Sequence, residues 1–336
     1  MATADVRADR DALVEMITGA WKTRVIGEGV RFGIFDLLTN GAKSADSLAK
    51  AVGVDEDGIK RLLRGLAVLG LLRHEPDDCF ALTPLGACLR RETPDSLNGF
   101  AGHWAGRMWE SFAGIGHSFQ TGEASAPSGP EHFVSVQADP AQSDVFNRAM
   151  AEGSLRIGRA LAKSYDFSGI ARLRDVGGGY GALLVGPLEA NPHLAGDIYD
   201  LPSLADNALR YLSEQGLDGR VDYLGGSFFD HVPPGADCLL LKYILHDWND
   251  AKCLTILQHC RVALGKGRLL IIERIVPDTV SEKDVEVIRG DLTMLTVGGK
   301  ERTEADYHSL LGQAGLVISR ILPIDGVFSL IEARVA

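Results

Sequence analysis

The chain has 336 residues and a formal net charge of -11, with 46% hydrophobic and 24% charged residues. That length allows about two domains with a sizeable core, the composition is that of a soluble globular protein, and the charge disfavours nucleic acid or an anionic membrane as partner. The five cysteines (Cys79, Cys88, Cys238, Cys253 and Cys260) are odd in number, scattered and without a C-x-x-C pair, which argues for reduced thiols and against structural zinc. Met1–Asp11 is polar and mixed in charge, unlike a signal peptide, and no apolar stretch approaches a membrane span. The expectation is a cytoplasmic protein.

Between Ala12 and Leu38 the apolar residues (Leu13, Ile17 and Trp21, then Val30, Ile34, Leu37 and Leu38) fall at helical spacing. Two such helices at the start of a chain need a partner surface. Ser44–Val52 reads as a helix capped by Ser44, Gly53 makes a turn, Asp55–Leu69 is a second helix, and Leu71–Leu82 is a hairpin around Pro76, Asp77 and Asp78. Helix, turn, helix and wing suggest DNA binding, and charge decides against it. Lys43–Arg91 holds eight basic and seven acidic residues, and the would-be recognition helix opens with Asp55, Glu56 and Asp57, the wrong sign for phosphates. Dimerisation is the better reading of this module.

Gly99–Met150 is dense in aromatic residues (Trp104, Trp109, Phe112, Phe119, Phe133 and Phe146), with a Pro/Gly/Ser-rich break at Ala124–Pro130. Such residues line a pocket for a flat ligand or pack a join between domains. Trp109, Phe146 and Met150, with Asp247 and Met294 further on, are the candidates for contact with a second substrate.

After Tyr165 strand and helix patterns alternate. Strands are predicted at Leu173–Val176, Asp197–Leu201, Val221–Leu224, Asp237–Leu245, Arg268–Val276, Val317–Pro323 and Val327–Arg334, giving a mainly parallel sheet covered by helices on both faces. Only three residues separate the last two runs, so those pair antiparallel. In such α/β sheets ligands lie beyond the carboxyl ends of the strands.

The first of these strands runs into Gly177, Gly178, Gly179 and Gly181, a turn that lets the backbone approach a ligand closely. Gly177, Gly179 and Ala182 fit the dinucleotide spacing, yet Asp175 stands where a carboxylate repels a pyrophosphate and attracts an ammonium group. The turn by itself therefore favours S-adenosylmethionine (SAM) over NAD, with a merely structural turn as a third reading. Asp200, followed by Leu201, ends the second strand about twenty residues on, where a carboxylate accepts ribose hydroxyls of either ligand. Gly225, Gly226, Ser227 and Phe228 follow the third strand, at the place for an adenine ring. KYILHDWND, from Lys242, is the most specific segment: it sets His246 at the end of a central strand, where a neutral imidazole takes a proton from a hydroxyl. Glu273 and Glu301 stand where they can orient that ring. The spacing of His246, Asp247 and Glu273 is no metal signature, and no metal ligands are assigned.

These segments (DVGGGYG, YDLP, LGGSFF, LLKYILHDWND, LLIIERIVPD and GGKERT) resemble, in order and spacing and over nearly the whole chain, the SAM-dependent O-methyltransferases typified by plant caffeic acid and flavonoid enzymes. The bacterial members that decorate secondary metabolites resemble it more closely. The resemblance implies a Rossmann-like class I methyltransferase domain over residues 165–336, an N-terminal helical winged-helix dimerisation domain over 1–98, and linking helices over 99–164 that contribute to the substrate pocket. It implies that Gly177, Gly179, Asp175, Asp200, Leu201, Ser227, Phe228, Lys242 and Trp248 surround SAM, which leaves as S-adenosylhomocysteine. His246 matches the family's general base, with Glu273 and Glu301 beside it, and the chain is expected to be a homodimer. Plant members carry an acidic residue where Ser227 stands, which weakens the adenine contact here or shifts it to the backbone. Members that methylate nitrogen or carbon share the fold, and an NAD-dependent oxidoreductase is the alternative outside it.

Overall fold

The structure is a computed structural model that describes residues 2–93, 95–130, 133, 136 and 138–336. The chain divides into two compact units, Met1–Trp109 and Glu110–Ala336.

The amino-terminal unit opens with three helices rather than two, α1 (Ala2–Thr18), α2 (Ala20–Arg31) and α3 (Ile34–Leu37). The extra break falls at Gly33, whose φ of +66° ends the continuous periodicity. Leu13, Val14, Met16 and Ile17 on α1 are all more than half exposed. After a short β1 (Lys43–Ser44) that the sequence did not announce, the next elements match expectation: α4 (Ala45–Val52), α5 (Glu56–Val68) and the hairpin β2 (Leu72–Glu75) and β3 (Cys79–Leu82). Ser44 and Asp55 cap α4 and α5, accepting from the N–H groups of Ser47 and Gly58. The small antiparallel sheet runs in the order β1-β3-β2 and packs on α3, α4 and α5 through Phe35, Leu48, Leu63, Leu66 and Phe80, all fully buried. At the wing tip Asp78 pairs with Lys60, and with Arg64 at 3.9 Å. Arg61, the third basic side chain of the would-be recognition helix, pairs with Asp57, so each of them already faces a carboxylate.

The second unit is built on one sheet in the order β10-β11-β8-β7-β4-β5-β6, with a short β9 beside β8. Its strands are β4 (Arg172–Val176), β5 (Ala195–Asp200), β6 (Val221–Gly225), β7 (Cys238–Lys242), β8 (Arg268–Val276), β9 (Arg302–Thr303), β10 (Leu316–Asp325) and β11 (Phe328–Val335). β4 to β8 are parallel, and the last two strands form the expected antiparallel hairpin along β8. Alternation sorts the two faces: Cys238, Leu240, Leu270 and Ile272 join one core, Leu239, Leu241, Leu269 and Ile271 the other.

On the first face lie α8 (Pro140–Ser164), α9 (Ala182–Ala190) and α10 (Ala205–Glu214). (Helices α6, Asn98–His103, and α7, Ile115–Thr121, precede them in the chain.) On the second face are α11 (Asp250–Leu264) and α13 (Glu304–Gln313), and α12 (Val285–Val297) lies between them in sequence. α8 and α9 cross where both carry glycine. A Cβ on Gly158 would lie 2.4 Å from the Leu183 carbonyl oxygen. Gly158→Ala is expected to cost about 1–3 kcal/mol of stability, read as a lower denaturation midpoint at unchanged slope; an unchanged midpoint would show that the crossing has slack.

One strand differs from expectation. The predicted Asp237–Leu245 strand stops at Lys242, Tyr243 takes φ +57°, and Leu245–Asp247 forms a single 3-10 turn. The reason is a competing acceptor: Glu273 Oε1 receives the N–H groups of Ile244, Leu245 and His246 at 3.1, 3.0 and 3.4 Å, so these amides do not pair along the sheet. No helix among the described residues is long and apolar enough to cross a membrane.

Candidate active site

The carboxyl ends of β4, β5 and β7 bring two groups of residues together. The first surrounds the glycine turn. Gly177 has φ +73°, and a Cβ there would lie 2.4 Å from Ile244 Cδ1, so only glycine holds this backbone. Asp175 is buried, pairs through its backbone with β5 and β7, and packs its carboxyl against Gly178, where a Cβ would lie 2.6 Å from its Oδ2. Burial pushes its carboxyl up to about 7, with the Lys242 ammonium opposing the rise. Lys242, also buried, is pushed down to about 8 by its own desolvation, and its Nζ donates to Ser154 Oγ on α8 at 2.9 Å. Asp200 accepts from Gly179 N–H at 2.8 Å and Leu201 N–H at 2.7 Å, one on each oxygen; a carboxylate oxygen has a second lone pair for a ligand hydroxyl.

Past β6, Gly226 packs on Tyr199, whose hydroxyl donates to the Ser227 and His231 carbonyls. Ser227 Oγ accepts from Phe229 N–H at 3.2 Å, which leaves its O–H to donate. Trp248 is buried against Phe133, Phe228 and Phe229, and its indole Nε1 has no hydrogen-bond partner among the described residues.

The second group centres on His246, buried at 5% exposure. Its Nδ1 lies 3.2 Å from Glu301 Oε1 and 3.6 Å from Glu273 Oε2, and its Nε2 lies 3.5 Å from Asp247 Oδ1. Desolvation alone would lower the imidazole pKa, but Glu273, Glu301 and Asp247 outweigh it and push it up to about 9. Burial raises Glu273, whereas the His246 and Arg274 charges overcome the burial of Glu301 and lower it. Burial pushes Asp247 up to about 6. One ligating atom each of His246, Glu273 and Glu301 falls within a 4.8 Å cluster. The cations those carboxylates meet are the imidazole and Arg274, whose Nη1 donates to Glu301 Oε1 at 3.1 Å.

The acceptor candidates are less gathered. Asp247 and Trp248 line a cavity of about 420 Å³ with Ser128, Gly129, Lys252 and Gly298. Phe146 meets Phe133 at 6.3 Å between ring centres. Phe146 and Met150 are half-buried on α8 and Met294 on α12, and none of the three lines that cavity. Trp109 belongs to the amino-terminal unit, with Arg24 5.5 Å from its ring centre.

Sequence reasoning missed Arg302, Arg274, Tyr243 and Ser154. Arg302 is 1% exposed and donates to the carbonyls of Leu245 (2.7 Å) and Trp248 (2.8 Å), fixing the turn that carries His246. Its place beside Glu301 in GGKERT was the available signal.

A family model described as the O-methyltransferase domain matches residues 116–317, and one described as the O-methyltransferase dimerisation domain matches 14–92. The chain belongs to the O-methyltransferase family. It is 37% identical, over 99% of its length and 96% of the relative's, to the mitomycin biosynthesis 6-O-methyltransferase of Streptomyces lavendulae. The crystal structure of LaPhzM superposes with a TM-score of 0.92 at 33% identity, covering 97% of this chain and 99% of that one. The neocarzinostatin-pathway O-methyltransferase NcsB1, solved with SAM and 2-hydroxy-5-methyl naphthoic acid, has a TM-score of 0.78 at 30% identity, covering 94% and 96%. This O-methyltransferase uses SAM, and its own residues fit that molecule: the buried Asp175 carboxyl packs against the glycine turn, where it suits an ammonium group rather than a pyrophosphate, and Asp200 keeps lone pairs for ribose hydroxyls.

Proposed function

We propose that this O-methyltransferase methylates a hydroxyl, phenolic in character, on an aromatic secondary metabolite, with His246 as general base. The observation that carries the reading is the buried imidazole whose Nδ1 faces Glu301 and Glu273, so that Nε2, on the side of Asp247 at 3.5 Å, is the nitrogen that takes the proton. When bound, SAM supplies a methyl group made electrophilic by its sulfonium and leaves as S-adenosylhomocysteine. Asp200 would accept the ribose hydroxyls, and Asp175 and Lys242 would meet the charged methionine end over the Gly177–Gly179 backbone. Leu201, Ser227, Phe228 and Trp248 would border the adenosine. Phe146, Met150, Asp247 and Met294 are the acceptor contacts of this reading.

The raised imidazole suits the task. A phenol titrates near 10 and an ordinary imidazole near 6.5. A base at about 9 reduces the uphill cost of the proton transfer from about three and a half pK units to about one. The opposing cost is that fewer imidazoles are neutral at pH 7. Glu273 and Glu301 keep Nδ1 protonated and the ring in place as Nε2 gains its proton. Incubation with methyl-labelled SAM and a panel of phenolic, phenazine and polyketide acceptors, followed by mass analysis, tests the reading. Label on oxygen supports it, and label on nitrogen or carbon alone would replace it.

The homodimer belongs to the same proposal. It is supported by the matched dimerisation domain and by exposed Leu13, Val14, Met16 and Ile17 on α1. Removal of the residues before Gly41 is expected to cause aggregation or loss of the dimer by size exclusion with light scattering; a soluble, fully active monomer would refute it. A cytoplasmic location is supported by the five free cysteines.

A further inference from the structure

Tyr243 is the one non-glycine residue at positive φ among the described residues of the second unit. It is a bulky residue at φ +57° in a position where the strand has just ended, and L side chains hold that conformation only when their surroundings fix it. Its ring lies flat on the His246 imidazole, 4.5 Å between centres at an interplanar angle of 8°. The Arg274 guanidinium carbon stands 4.9 Å from the same ring and Lys242 Nζ 4.2 Å from it. Arg274 also donates to Glu301 Oε1, the very oxygen that faces His246 Nδ1.

Helix α12 carries a glycine at this point. A Cβ on Gly290 would lie 2.6 Å from Arg274 Nη1 and 2.9 Å from Glu301 Oε1. A glycine inside a helix costs about 1 kcal/mol against alanine, and here it makes room for the Arg274–Glu301 contact.

We propose that Tyr243 and Arg274 are positioning residues for the base: Tyr243 sets the plane of the His246 ring by stacking, and Arg274 fixes the Glu301 oxygen to which that ring is turned. This rests on the reading of His246 as general base. Neither residue touches the acceptor in the proposal; both act through the imidazole. The charged and titratable groups around the ring come from four elements: Lys242, Tyr243 and Asp247 from β7 and its turn, Glu273 and Arg274 from β8, Glu301 from the segment before β9, and Asp291 of α12, which accepts Glu301 N–H at 3.0 Å. Arg274 is the group that shares the Glu301 charge with the imidazole. Without it that charge acts on the imidazole alone and holds its proton more tightly.

The test compares Tyr243→Leu, Tyr243→Phe, Arg274→Met and Arg274→Lys in the full chain, each also made in a His246→Ala background, with kcat followed from pH 6 to 10. Tyr243→Leu is expected to lower kcat about tenfold with the KM for SAM little changed, because a misplaced ring loses alignment rather than binding. Tyr243→Phe, which keeps the ring, should restore the rate. Arg274→Met should move the rising limb of kcat to higher pH by about one unit, and Arg274→Lys should return it. In the His246→Ala background none of the four should have an effect beyond that of His246→Ala.

If Tyr243→Leu and Arg274→Met leave both rate and limb unchanged while His246→Ala is slow, the positioning role is wrong and the base stands. If His246→Ala itself is fast, the base reading has failed first. Should Tyr243→Leu or Arg274→Met not fold, Tyr243→Phe and Gly290→Ala decide. The first must keep the limb, and the second, by pressing on the Arg274–Glu301 contact, must shift it; an unmoved limb in Gly290→Ala overturns the proposal.

Discussion

His246→Ala is expected to lower kcat at pH 7 by about 10²–10⁴-fold, the range over which a positioned base acts, while SAM affinity measured by calorimetry stays nearly unchanged. The pH dependence carries the sign. Glu273, Glu301 and Asp247 hold the imidazole up to about 9, so the proton-accepting form grows as pH rises, about tenfold per unit between 7 and 8, and levels off above 9. The alanine variant should lose this limb and recover only where the phenol ionises by itself, near 10. Glu301→Gln should move the wild-type limb toward lower pH, because it removes one of the charges that retain the proton. A full rate for His246→Ala at pH 7 would assign the catalysis to approximation of the two substrates alone.

Asp200→Ala should weaken SAM binding by about 2–4 kcal/mol, the loss of charged hydrogen bonds to two ribose hydroxyls, or roughly 30- to 1000-fold in Kd. The side chain has a second role that adds to the effect. Its oxygens accept from Gly179 and Leu201 N–H, so its removal also frees the glycine turn. Asp200→Asn keeps one acceptor oxygen and should fall between wild type and alanine. Unchanged SAM affinity in Asp200→Ala would overturn the cofactor assignment of this carboxylate.

Much of this protein is written in local pattern. Apolar spacing placed the seven main strands and helices α4 and α5, and turn chemistry placed Gly53, the Asp77–Asp78 wing tip and the Gly177–Gly181 loop, because each of these depends on a few neighbouring residues. DVGGGYG and KYILHDWND carried the cofactor class and the family for the same reason: the chemistry sits in short contiguous segments.

The tertiary structure decided what depends on residues far apart in the chain. The strand into His246 was read three residues too long because its competitor, Glu273, is 27 residues further on, and Glu273 Oε1 draws off the His246 amide and the two before it. The imidazole pKa was set by carboxylates from three segments meeting in one buried volume, where desolvation and charge act together. Arg302, Arg274 and Tyr243 look like an ordinary surface arginine, another, and a strand tyrosine; only folding puts them on the His246 turn, the Glu301 oxygen and the face of the imidazole. The sequence by itself determined the fold class and the cofactor and singled out His246 as the candidate base, because each is encoded by neighbouring residues. The orientation and basicity of that base belong to the tertiary structure, because they are sums over charges and contacts that the chain separates by up to 55 residues.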